Sequence, residues 1–382
     1  MTFDGFIYGF NTKLFSVLLG VFLLFYAYII WPVIIRAFKL NEKNKWTALF
    51  TISLLTVFGI LVMIPLKDSS YIIPYPINYF ALVFMGAWLL VVAISTKIGK
   101  TKDESYNYDL KKGIEKTAQD GGTIDIHNFS YKKEIYRKII HLCSTLYIIA
   151  YVVAIPIFKF IFENIYLTNP VRSGWEEYNN MFVLGSEIHP FETIIAITFL
   201  GLLGSFFVQI DAEISRLRSP NTPFILKKTL QKTRRVTEIN IFGAHIPMVV
   251  AFMFSLFLLT FDPKWRMQGV NAFAAVVFVS ALGDLMAALI GRKFGKKKVK
   301  INKDKSYAGC SAGVFFSILG SFPFVGVPLS IITMIIFLFN DLILSRINLS
   351  DNLTNPLLLA FTYRCLIFLV QPIIPMNWFV II

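Results

Sequence analysis

Apolar stretches of about 18 residues or more recur along this chain from one end to the other. A stretch of that length is what an α-helix needs to cross the hydrocarbon core of a bilayer. The rest of the composition agrees. Only 16% of the 382 residues are charged, against about a quarter in soluble domains, and the mean hydropathy is +0.64. These values exclude a soluble enzyme, a fibrous protein and a disordered chain. The 38 Phe and 16 Tyr suit lipid-facing helices. Cys143, Cys310 and Cys365 lie in apolar surroundings, with no metal-ligand spacing and too few thiols for a disulfide framework.

The apolar runs predict an all-α, polytopic membrane protein of about ten transmembrane helices. They are Leu14–Ile35, Trp46–Leu66, Tyr79–Ser95, Ile139–Phe162 and Phe191–Ile210, then Ile241–Phe261, Val270–Ile290, Gly309–Gly320, Val325–Leu344 and Leu357–Val380. Gly309–Gly320 is short for a span and reads as one half of a helical hairpin turning at Ser321–Phe322–Pro323. The basic residues test this scheme. The loops after the odd-numbered spans hold 30 of the 37 Lys and Arg, whereas the other loops and tails hold 5. By the positive-inside rule this alternation puts both termini outside and the basic loops in the cytoplasm. It also accounts for the net charge of +14 without any nucleic-acid partner. Residues 1–95 then form an N-terminal region of three spans, 96–138 a charged cytoplasmic loop, and 139–382 a transmembrane core.

Charge at membrane depth is rare and usually functional. Asp284 is the one acid read there, about two turns inside the seventh span. Ser280, Asp284, Ala287, Gly291 and Gly295 share one helical face, four of them small. Such a face admits another backbone or a ligand. Eight Lys and Arg follow within 292–305. A carboxylate for a divalent ion, backbone free to approach and cations for phosphates together suit a polyphosphate. A small-residue packing face before an ordinary basic loop reads equally from the same residues. Next, Lys305–Ser306 precedes a span, where Ser306 is either part of an anion site or a helix cap. Arg137 and His141 lie one turn apart at the mouth of the fourth span, placed for phosphate binding, acid–base work or interfacial anchoring. The 211–240 loop carries Asp211, Glu213, Arg216, Arg234, Arg235 and Glu238, and Asp351–Asn352 stand in the last cytoplasmic loop.

Taken together these blocks resemble the dolichol kinase superfamily, which includes polyprenol, phytol and CTP-dependent diacylglycerol kinases. Asp284-x-x-Ala287-x-x-x-Gly291-x-x-x-Gly295, followed after eight residues by Asp304–Lys305–Ser306-x-Ala308–Gly309, is similar to that family's CTP-binding signature. Arg137–Lys138-x-x-His141 resembles its Arg-Lys-x-x-His opening. Asp211…Arg216…Pro220…Arg235-x-x-Glu238 resembles a further block, and Asp351–Asn352–Leu353–Thr354-x-Pro356 its Asp-Asn-x-Thr-x-Pro ending. The blocks keep their order across 133–356. Dolichol-type members tend to have Glu at the place of Ala308, and basic residues or Thr at those of Asp304 and Ser306. Here the pattern is nearer the diacylglycerol and phytol branches.

The resemblance implies a CTP-dependent, Mg2+-requiring kinase of a membrane lipid alcohol, with its site facing the cytoplasm. The membrane would be the plasma membrane or the endoplasmic reticulum, according to the organism. Gly291, Arg292, Lys293, Gly295, Lys305, Ser306, Gly309, Arg137 and Arg235 would bind nucleotide and phosphate. Asp284 and Asp351 would hold the ion, and Asp284, His141 and Asp211 are the catalytic candidates. Two rivals stand. A phosphatidate cytidylyltransferase shares the signature more loosely, although its Lys-Asp and His-Gly-Gly…Asp-Arg region is missing from this sequence. A transporter would show symmetric broken helices and acids at mid-membrane on several helices.

Overall fold

The two proximal apolar runs pack as an antiparallel pair at a pair of glycines. The computed structural model describes residues 3–42, 44–64, 82–90, 190–218, 241–262, 265–347 and 349–370. Helix α1 runs over Phe3–Lys39 and α2 over Lys45–Met63. A Cβ on Gly20 would lie 2.6 Å from the Gly59 carbonyl oxygen, so only glycine lets the two backbones come this close. In lipid, where apolar side chains gain nothing by leaving their surroundings, such close packing drives helix association. The outer face of α1 leaves Val21, Phe25 and Tyr28 exposed, while Leu19, Leu23, Tyr26 and Ile30 are buried.

Helix α3 spans Pro190–Arg218 and α4 spans His245–Thr260. Helix α4 is buried on nearly every side, and Phe58 of α2 meets both Phe254 and Phe257 of α4 edge-on. The next transmembrane segment has three parts. Helix α5 (Arg266–Phe278) passes into a π-helical turn (Val279–Gly283) and then α6 (Asp284–Phe294). The wide turn shifts the register of α6 against α5 just before Asp284, and such turns are frequent at functional sites. Helix α7 follows over Tyr307–Leu342 and α8 over Asp351–Val370.

A continuous 36-residue helix would be about 54 Å long. Instead α7 is bent double. Cys310 hydrogen-bonds to Asp341, 31 positions later, and a Cβ on Gly313 would collide with the Phe337 ring. The break falls at Gly326, with φ 72° and ψ 179°, a conformation open essentially to glycine alone. The expected hairpin is therefore present, with its turn five residues after Ser321.

Among the described residues every regular element is helical. Among the described residues four helical segments are long and apolar enough to cross a membrane: Leu14–Lys39, Lys45–Met63, Gln268–Phe294 and Tyr307–Arg346, the last being the hairpin. The protein is an all-helical membrane protein. Three of the boundaries that differ from expectation bear on the candidate residues. Helix α3 continues to Arg218, carrying Asp211, Glu213 and Arg216 on helix rather than loop, because buried partners satisfy both acids. Helix α6 extends to Phe294, so Arg292 and Lys293 form its last turn, where cations suit the helix dipole. Helix α8 starts at Asp351, which makes Asp351 and Asn352 its first turn instead of a loop. The fourth span, both ends of the third, the 96–138 loop and residues 219–240 lie outside the described residues.

Candidate phosphate site

The basic segment after α6 is folded back on itself. Val299 N–H donates to the Lys305 carbonyl (3.0 Å) and Tyr307 N–H to the Lys297 carbonyl (3.1 Å). Val299 is buried beneath the turn, Asn302 accepts from the Asp304 N–H, and the Asn302 amide donates to Ser345. This fold separates the cations. Lys296, Lys297, Lys298, Lys300 and Lys303 are exposed, whereas Lys305 turns inward at the foot of the hairpin.

Lys305 Nζ donates to Asp341 Oδ1 and stands 4.0 Å from Asp351 Oδ2, and it also feels the charge of Asp284. Burial by itself would push the Lys305 ammonium down. Asp341 first, then Asp351 and Asp284, outweigh it and hold the group above the ordinary lysine range. Asp341 is buried, and its other oxygen accepts from the Cys310 thiol at 3.3 Å. Its neighbour Asn340 accepts from Thr354, which ties the return arm of α7 to α8. Ser350 N–H donates to Thr47 Oγ1 at 2.9 Å, which fixes the start of α8 against α2.

The small-residue face receives another backbone. A Cβ on Gly309 would stand 2.8 Å from the Ala287 carbonyl oxygen and 3.0 Å from Gly291 Cα, and one on Gly295 would strike Ser306. Gly291, Gly295 and Gly309 thus bring α6 against the outgoing arm of α7. Ser306 takes the capping alternative: its Oγ accepts from the Gly309 N–H at 3.2 Å and donates to the Gly291 carbonyl.

The structure brings together Asp284, Lys305 and Asp351, with Ser306, Gly291, Gly295 and Gly309 close behind. Arg292 and Lys293 are exposed on the last turn of α6. Asp211 stands elsewhere, accepting from Tyr26 Oη (3.1 Å) and from the Trp88 indole. Glu213 Oε1 lies 3.1 Å from His245 Nε2, a pairing that spacing along the sequence does not reveal. Arg137, His141 and Arg235 lie outside the described residues. Arg364, expected inside a span, pairs with Asp262 at 3.0 Å. It lies 13 residues from the start of α8, about 20 Å from the Lys305 group along the helix axis.

Asp341 corrects the expectation that Asp284 is the one acid at membrane depth. It is buried near the end of the ninth expected span, and the rule that singles out Asp284 applies equally to it. Among the described residues no group of three or more His, Cys, Asp and Glu side chains is placed to hold a metal ion. The chain matches no family model, and no curated protein or solved structure matches it.

Proposed function

We propose that the protein is a CTP-dependent kinase that phosphorylates a membrane lipid alcohol: dolichol or another polyprenol, phytol or diacylglycerol. One observation carries the reading. Asp284 and Lys305 come from the signature-like block and Asp351 from the block some fifty residues later, and the two acids both act on the Lys305 ammonium. Convergence of separate motif-bearing segments is what a single site requires.

The carboxylates of Asp284 and Asp351 are hard oxygen donors of the kind Mg2+ takes, and a nucleotide-bound ion needs only one or two from protein. Asp284 and Asp351 would hold the ion, which would supply neutralisation of phosphate charge. Lys305 binds phosphoryl oxygens, and Arg292, Lys293, Arg137 and Arg235 add positive potential. Phosphoryl transfer asks mainly for positioning and charge neutralisation. His141 is the proposed acceptor of the hydroxyl proton; Asp211, already accepting from Tyr26 and Trp88, stands apart from this group. In this reading the chain spans the membrane ten times, both termini lie outside, and CTP arrives from the cytoplasm while the lipid enters sideways between helices.

A transporter is the second reading, favoured by a second buried acid, Asp341, on the return arm of a helix broken at Gly326. Purified protein in lipid vesicles, given radiolabelled CTP and a panel of polyprenol, phytol and diacylglycerol, separates the two. The kinase reading expects label on one alcohol class, and vesicles in which no alcohol takes label would contradict it.

A further inference from the structure

Lys305, the last cation of the 292–305 stretch, is drawn toward the helix bundle, and what draws it is the return arm of the α7 hairpin. Asp341 contacts both sides of the junction. One oxygen accepts from Lys305 at the end of the basic turn, the other from Cys310 on the outgoing arm. Ser345, one turn on, donates to the Asp341 carbonyl and accepts from Asn302 at the tip of the turn. Two points of the basic turn are therefore tied to the same return arm. The two acids nearest Lys305 differ: the Asp341 side chain is 7% exposed, the Asp351 side chain 31% and 4.0 Å away. Asp341 is the fixed anchor, and Asp351 is the partner that an incoming group can displace.

We propose that Asp341 is a positioning residue, which holds the Lys305 ammonium beside Asp351 for the binding of phosphate. This rests on the reading of Lys305 as a phosphate-binding residue. Asp341 touches no substrate and acts through Lys305. Closure of the hairpin at Gly326 is then coupled to the site, since the return arm carries the anchor.

Two measurements test this. The first needs no activity. Full-length protein in lipid is treated with limiting amine-reactive reagent, and labelling of Lys305 is read by mass spectrometry against exposed Lys303. Asp341→Asn weakens the hydrogen bond that holds the ammonium against the return arm, so Lys305 becomes more accessible and its labelling rises relative to Lys303. Asp341→Glu restores slow labelling. An unchanged ratio in the Asn variant overturns the hold. The second is a double-mutant cycle on CTP-dependent transfer. Asp341→Asn lowers kcat/KM for CTP by about 10- to 100-fold, a usual loss for a supporting partner, but costs nothing further in a Lys305→Ala background. Equal losses in both backgrounds mean that Asp341 acts through the fold at large, and overturn the proposal. A wild-type protein that transfers no phosphate contradicts the kinase reading instead, while the labelling ratio still decides the Asp341–Lys305 hold.

Discussion

Lys305 differs from its basic neighbours by a turn of backbone, not by chemistry. Raised above the ordinary lysine range, its charge contributes to stability fully below the unfolded value of about 10.4, and that contribution is lost as pH rises through the folded value. The account therefore expects no loss of stability from this group between pH 7 and about 10 in thermal-shift measurements. Asp284→Asn keeps the shape but removes the charge and turns one acceptor oxygen into a donor. Transfer should fall about a thousandfold while membrane insertion, checked by extraction and gel filtration, stays normal. Near-normal turnover would remove Asp284 from the site. Ser306→Ala deletes the α7 cap and should cost about 1 kcal/mol, read as a lowered melting temperature. Asp284, Lys305 and Asp351 are legible in the sequence, because each stands in a recognisable block. The inward turn of Lys305 is not, because it depends on Asn302 meeting Ser345 across more than forty residues. Asp341 was open to the same reasoning as Asp284. Its partner, however, lies at the far end of the hairpin, where linear spacing points to nothing.

At the scale of elements, glycine decides how close helices come. Gly309 faces the α6 backbone, so Gly309→Val should force α6 and α7 apart and destabilise by about 1–3 kcal/mol, with loss of melting temperature in detergent. Gly326 is the second such position. Gly326→Ala places a side chain at φ 72° and should cost about 1–3 kcal/mol, or shift the turn. A variant as stable as wild type would mean that the hairpin turns without using that conformation. The small-residue face was readable from the sequence, but not whether it took a backbone or a ligand. The structure gives the backbone, since α6 and α7 lie adjacent in the chain and the basic turn folds them together. The shortness of Gly309–Gly320 signalled the hairpin, and Pro323 signalled a break. Pro323 falls within the outgoing arm, and the break comes at Gly326, where glycine permits the conformation.

At the scale of the molecule, the membrane class follows from apolar length alone, whereas boundaries moved wherever polar residues found buried partners. Asp211 and Glu213 look like loop residues until Tyr26, Trp88 and His245 are packed against them. Sidedness is a separate expectation, carried by the basic loops. Single Cys residues at Lys298 and Arg266, in a background without native Cys, should react with an impermeant thiol reagent from opposite sides of the membrane. Reaction from the same side would break the topology. The central claim is that this bundle end transfers the terminal phosphate of CTP to a lipid alcohol, and two labels test it most directly. With protein in vesicles that contain the acceptor, CTP labelled in the γ-phosphate should pass its label to lipid and leave CDP. CTP labelled in the α-phosphate should leave the lipid unlabelled. Label in lipid from the α-phosphate, with release of pyrophosphate, would contradict the account and make the protein a CDP-lipid synthase.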